Sequence, residues 1–258
     1  MTSQFPLNYE PGVHEREISK NLNLSIPSGF EKKLNNVKLI FICFSNRSGS
    51  TWLCDLLSNH PHLNLGGEGL NHPQVLKKSE ENGFKSFAEY FVWLVKERKT
   101  ESNNFVIKVS WDQLFFLTKI GLIPILAKQS KFIQIFRMNI LNQAISYSIA
   151  LQNEQWNSKQ RGKIVEVEYR PDLIHAGIID FTQANMMFDR YFTTFNVKRK
   201  KIIYENLTSN RIGILTKTLN YLGLPDIPKS KLAKNRLKVQ RNELNSKFAE
   251  EFKSRHSF

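Results

Sequence analysis

The sequence predicts an α/β chain of three layers, with a central parallel sheet and helices on both faces. Three observations carry that prediction. Short apolar, β-prone runs alternate with helix-like segments along most of the 258 residues. The run Lys38-Leu-Ile-Phe-Ile-Cys-Phe44 is too short for a helix and reads as a fully buried strand. It passes straight into Ser45-Asn-Arg-Ser-Gly-Ser-Thr-Trp52 and then a helical pattern. A strand, a tight loop and a helix aim backbone N–H groups and the positive end of a helix dipole at one spot, which favours an anion, most often a phosphate.

The elements follow in order. Residues 1 to 36 are polar, carry Pro6, Pro11, Pro27 and Gly29, and are expected to form an irregular arm ahead of a domain spanning 37–258. After the first strand, Trp52, Leu53, Leu56 and Leu57 recur at helical spacing from Ser50 to Asn59, and Pro61 ends that helix. The glycines around Glu68 allow sharp turns or close backbone approach. Phe84, Phe87, Phe91, Leu94 and Val95 mark an amphipathic helix from Gly83 to Lys99. Further strands are expected at 104–109, 131–136 and 201–204, and further helices at 111–120, 139–152, 172–195 and 208–222. Residues 226–258 are basic and weakly periodic. In parallel sheets ligands bind beyond the carboxyl ends of the strands. Ser45, Ser110, Arg137 and Glu205 all fall at such ends.

Lys and Arg outnumber Asp and Glu 37 to 23, a net charge of +14 that favours anionic partners. Two cysteines, Cys43 and Cys54, do not make a disulfide framework and lack metal-ligand spacing, so a buried, reduced pair is expected and no metal. The first 21 residues do not read as a signal peptide, and no stretch approaches the ~20 apolar residues of a membrane span. A cytoplasmic protein is the expectation.

The anion loop is not a standard nucleoside-triphosphate loop, because no Gly-Lys-Ser/Thr follows its first glycine. Arg47 takes the cationic role, with hydroxyls from Ser50 and Thr51. Four landmarks in order resemble the bacterial sulfotransferases of the trehalose, nodulation-factor and lipopolysaccharide type. They are Phe44 to Trp52, Gly66-Gly-Glu-Gly-Leu-Asn71, Phe136-Arg-Met-Asn-Ile-Leu-Asn-Gln-Ala-Ile-Ser146, and Ile203-Tyr-Glu-Asn-Leu207. Phe105 to Trp111 is a weaker fifth. The resemblance spans about residues 37–225 and implies a P-loop-like fold with 3′-phosphoadenosine 5′-phosphosulfate (PAPS) as sulfuryl donor. Carbohydrate or glycolipid hydroxyls would accept, without a metal. Homo-oligomers occur among such relatives, so a homodimer is compatible with it.

The resemblance also implies roles. Arg47, Ser48, Gly49, Ser50 and Thr51 would hold the 5′-phosphosulfate, with Arg47 neutralising charge as the sulfuryl group leaves. Trp52 would stack on adenine. Glu68 would be the general base, with His60, His62 and His72 as nearby alternatives. Arg137 and Ser146 would bind the 3′-phosphate. Ser146 lies nine positions after Arg137, where eukaryotic sulfotransferases use eight. Lys108 stands near the site, Lys238, Gln240 and Arg241 could fold over the 3′-phosphate, and Trp156 could line the acceptor pocket. Tyr204 and Glu205 read as structural supports. Two other readings compete: a P-loop nucleotide kinase, opposed by the missing lysine motif, and a basic nucleic-acid-binding protein, for which no recognition motif is evident.

Overall fold

A computed structural model describes residues 9–64, 66–156, 160, 162–163, 166–232, 234, 236–237 and 243–256. The chain opens with α1 (Val13–Asn21) and a 3₁₀ turn at Phe30–Leu34, then enters β1 (Lys38–Cys43) and α2 (Ser50–Leu57). Next come α3 (His72–Asn82), α4 (Phe87–Arg98), β2 (Asn104–Val109), α5 (Trp111–Lys119) and α6 (Leu122–Leu126). β3 (Ser130–Phe136), α7 (Ile140–Asn153), α8 (Pro171–Thr194) and β4 (Arg199–Ile203) follow. The rest is α9 (Tyr204–Ser209), α10 (Arg211–Leu222), α11 (Lys229–Leu232) and α12 (Glu243–His256).

The four strands form one parallel sheet in the order β2-β1-β3-β4. Alternation along β1 splits the core into two layers. Leu39, Phe41 and Cys43 face α1, α4, α5, α6 and α8, while Ile40 and Ile42 face α2 and α10. Both faces are therefore covered, as the alternating sequence predicts. The chain leaves β1 toward β2 on one side and later returns to β3 on the other. That reversal opens a crevice at the carboxyl ends of β1 and β3, the place where open sheets bind ligands.

Several expectations change. The arm expected to be irregular contains α1, and Ile18, Leu22, Phe30 and Leu34 are buried in the same layer as the sheet. Its apolar residues are sparse among charges, so burial rather than local pattern stabilises it. The helix expected from Gly83 begins at Phe87, where Ser86 and Glu89 form a capping box. α3 goes beyond the sequence expectation; Pro73 suits its first turn and Gly83, at φ +70°, ends it. Tyr204, expected to end the fourth strand, instead starts α9, and β4 begins earlier, at Arg199. The helix expected at 208–222 is interrupted at Asn210, whose side chain accepts the Gly213 N–H at 3.2 Å and starts α10. The basic end carries α11 and α12. Among the described residues, no helix is long and apolar enough to cross a membrane.

Candidate active site

The loop after β1 turns tightly. Arg47 has φ +61° and Gly49 φ +91°, and α2 starts at the next residue. These two left-handed residues fold the loop back over the amino end of α2, which concentrates backbone N–H groups there. Buried Gln143 of α7 ties the loop down. Its side-chain amide donates to Ser45 Oγ at 2.9 Å and to the Asn46 carbonyl at 2.7 Å. Glu205 steadies the other side by accepting the backbone N–H groups of Met138 and Asn139 at 3.1 and 3.2 Å.

A cavity of about 480 Å³ opens in this crevice. Two guanidiniums line it, those of Arg47 and Arg137. Arg47 Nε donates to Ser146 Oγ at 2.9 Å and its Nη1 to the Trp156 carbonyl at 2.5 Å. Arg137 Nη1 lies 3.4 Å from the Arg47 carbonyl, and its guanidinium sits 4.6 Å from the centre of the Tyr204 ring. Burial lowers the Arg47 pKa, and the neighbouring Arg137 charge lowers it further. An anion placed between them would oppose both effects by favouring the charged guanidiniums. Ser50 and Thr51 also line the cavity.

Glu68 and Lys108 line the cavity as well. Lys108 Nζ donates to Glu68 Oε1 at 2.6 Å and to Thr51 Oγ1 at 3.3 Å. Asn71 donates to Glu68 Oε2 at 3.1 Å. Partial burial works to raise the Glu68 pKa. The Lys108 charge and hydrogen bond outweigh it, with help from Asn71 and His14, and the net direction is downward. Glu68 is therefore a carboxylate at neutral pH, able to accept a proton.

The structure brings Arg47, Gly49, Ser50, Thr51, Trp52, Glu68, Arg137 and Ser146 together around this cavity. Ser48 differs: its side chain is fully buried beneath the loop, and its backbone N–H donates to the Ser45 carbonyl at 3.2 Å. Trp52 is buried, edge-on to Tyr204 with centroids 5.9 Å apart, and shows the cavity only part of its ring. The three histidines stand away from the wall. His60 is fully buried against the Pro225 carbonyl at 3.0 Å, His62 bonds Ser102, and His72 pairs with His14. Lys238, Gln240 and Arg241 lie outside the described residues.

Tyr204 and Glu205 line the cavity besides supporting it, and Trp156 stands at its edge, 39% exposed. Sequence reasoning missed Asn139, Asn142 and Asn245, which also line the space. The first two sit in the run after Arg137 and could have been found there. Asn245 and Leu237 arrive from the carboxyl-terminal segment. Buried Asp55 of α2 holds that segment by accepting the Arg236 N–H at 3.1 Å and pairing with its guanidinium at 3.1 Å.

Comparison with solved structures finds sulfotransferases. The sulfotransferase domain of the Synechococcus PCC 7002 olefin synthase is 16% identical, covering 85% of this chain and 88% of its own, with a TM-score of 0.48. A mouse sulfotransferase complexed with PAP is 15% identical over 80% of this chain and 67% of its own, with a TM-score of 0.48. A sulfotransferase from Mycobacterium tuberculosis H37Rv is 12% identical over 95% of this chain and 81% of its own, with a TM-score of 0.44. Comparison with curated protein sequences gives no significant match. The family model of the Stf0 sulphotransferases matches residues 40–255, a span that holds the whole cavity wall, and the chain therefore belongs to that family and is a sulfotransferase.

Proposed function

We propose that the enzyme moves the sulfuryl group of PAPS to a hydroxyl of a carbohydrate or glycolipid acceptor, with Glu68 as general base. The observation that carries this reading is one cavity lined by two guanidiniums, Arg47 and Arg137, and by the carboxylate of Glu68. The two guanidiniums suit a nucleotide carrying phosphates at both 5′ and 3′ positions. Arg47 and the N–H groups at the start of α2 would bind the 5′-phosphosulfate. Arg137, with Ser146 beside Arg47, would take the 3′-phosphate. Trp52 would offer its exposed edge to the base.

In the transfer, Glu68 takes the proton of the acceptor hydroxyl as its oxygen attacks sulfur. The products are a sulfate ester and adenosine 3′,5′-bisphosphate. The loop donors are set before reaction, so charge growing on the leaving phosphate meets fixed dipoles rather than reorganising water. Trp156, Asn139 and Asn142 on the cavity wall support a sugar acceptor, since together they offer an aromatic ring and polar side chains. Free, buried Cys43 and Cys54 suit the reducing cytoplasm.

The test compares ligands and one variant. Adenosine 3′,5′-bisphosphate at ~100 times its Kd should stabilise the protein by about 2.7 kcal/mol, raising Tm by about 5–10 °C. ATP·Mg²⁺ and 5′-ADP should do less. Glu68→Gln should keep the bisphosphate response and lose about 10²–10⁴ in turnover. A shift with ATP·Mg²⁺ alone would remove the PAPS reading, and full turnover in Glu68→Gln would remove the base.

A further inference from the structure

Lys108 links Glu68 to the anion loop. The connection begins in the backbone: the Lys108 N–H donates to the Gly67 carbonyl at 3.1 Å, next to an isolated parallel bridge between Gly67 and Ile107. The glycine segment thus runs as a short extra rung along β2. Its register puts residue 68 beside residue 108. Lys108 points to the α2 side of the sheet, where its Nζ reaches Glu68 Oε1 at 2.6 Å and Thr51 Oγ1 at 3.3 Å. The ammonium also lies 4.3 Å from the centre of the Phe44 ring. The Lys108 side chain is 6% exposed and that of Glu68 44%. A pair built only for stability would cover both charges. Here the ammonium is covered and the carboxylate opens to the cavity.

We propose that Lys108 is a further catalytic residue with two alternating partners: it holds Glu68 while the donor is absent and turns to the sulfuryl end of PAPS when the donor binds. The inference rests on the donor reading above. Thr51 marks the second position, because it belongs to the loop that would hold the phosphosulfate and already accepts from the same ammonium. An ammonium has three N–H donors on a flexible stem, so a short swing changes its partner. In the transfer the acceptor O–H gives its proton to Glu68 and its oxygen forms the new O–S bond. The S–O bond to the 5′-phosphate breaks, and its electron pair stays on a phosphate oxygen beside Lys108. Glu68, relieved of its closest positive charge, becomes the stronger base in the complex that needs one. A donor-free enzyme keeps its base restrained.

Among the described residues, other groups near the pair include His14 on α1, whose charge acts on Glu68, the amide of Asn71, Cys54 on α2, and the Arg98 guanidinium beside Gly67 and Gly69. Burial pushes the Cys54 thiol up to about 11 and keeps it neutral, and burial lowers the His14 pKa. None of these replaces the Lys108 charge.

The experiment measures rates against pH at saturating acceptor, for the wild type, Lys108→Gln and Lys108→Arg. The ratio kcat/KM for PAPS reports the enzyme before the donor binds, and kcat reports it afterwards. In the wild type the acid limb of kcat/KM should lie at lower pH than that of kcat. In Lys108→Gln the two limbs should coincide, kcat should fall about 10²–10³-fold, and calorimetry should still detect bisphosphate binding, with an affinity loss smaller than the loss in kcat. Lys108→Arg should recover part of kcat. Coincident limbs in the wild type, or a full kcat in Lys108→Gln, overturn the inference alone. A wild type that does not bind the bisphosphate overturns the donor reading and this inference with it.

Discussion

Gly49 offers the sharpest test of how the anion loop is held. Its φ of +91° lies where an L side chain is strained, and a Cβ there would meet Tyr204, falling 2.8 Å from Cε2. The ring cannot yield cheaply, because Trp52 packs edge-on against it at 5.9 Å and Arg137 covers it at 4.6 Å. Gly49→Ala should therefore incur two costs. Left-handed backbone costs about 1–2 kcal/mol, and forcing the ring aside about 1–3 kcal/mol. Together they reach about 2–5 kcal/mol, or roughly 4–20 °C of Tm for a chain of this size. Gly83 provides the control. Its φ is +70°, and a methyl added there would meet nothing within 4 Å. Gly83→Ala should cost only the backbone part, about 1–2 kcal/mol. The assay is thermal denaturation of both variants, followed by Gly49→Ala in a Tyr204→Leu background, where the steric part should disappear. Equal losses in the two alanine variants would refute the idea that Tyr204 braces the loop.

Two further outcomes follow from buried titratable groups. His14 Nδ1 accepts the His72 backbone N–H at 3.1 Å and faces His72 Nδ1 at 3.0 Å, and burial lowers its pKa. The unfolded chain therefore binds this proton more readily than the folded one, so stability should fall as pH drops through and below the ordinary histidine range. His14→Gln should flatten that part of a Tm-against-pH curve; an unchanged slope would contradict it. Burial raises the pKa of both thiols, Cys54 to about 11 and Cys43 further still. Neither should react with a disulfide reagent in the native protein, both should react in denaturant, and rapid native labelling would show that the core opens.

The parallel layers were legible because β1, β2 and β3 are dense apolar runs whose periodicity is unambiguous. The loop was legible because glycine, arginine and hydroxyls sit together where a strand meets a helix. α1 and α3 were hidden, since each buries only two side chains, Glu15 with Ile18 and Val75 with Ser79, among exposed charges. Tertiary contact decides such helices. Ser48 illustrates a second limit: the sequence places it in the loop, but not on the inner or outer side. Lys108 illustrates a third. It looks like an interruption in an apolar strand until the Gly67 bridge brings Glu68 to it. Asn245 and Leu237 carry no local signal at all, because their place on the wall comes from contacts with elements far away in the chain.

The clasp between Asp55 and Arg236 joins residues 181 positions apart. Asp55 belongs to the helix that begins at the anion loop, so during synthesis that loop emerges long before its far wall. A ribosome-bound chain holding β1 and α2 carries half of a cavity and a carboxylate still waiting for its arginine. Domains that fold from the amino end gain their early layers first. Here a nascent chain that has completed its whole sheet still lacks Leu237 and Asn245, so competence trails the fold and arrives only when that last stretch of wall closes over the loop.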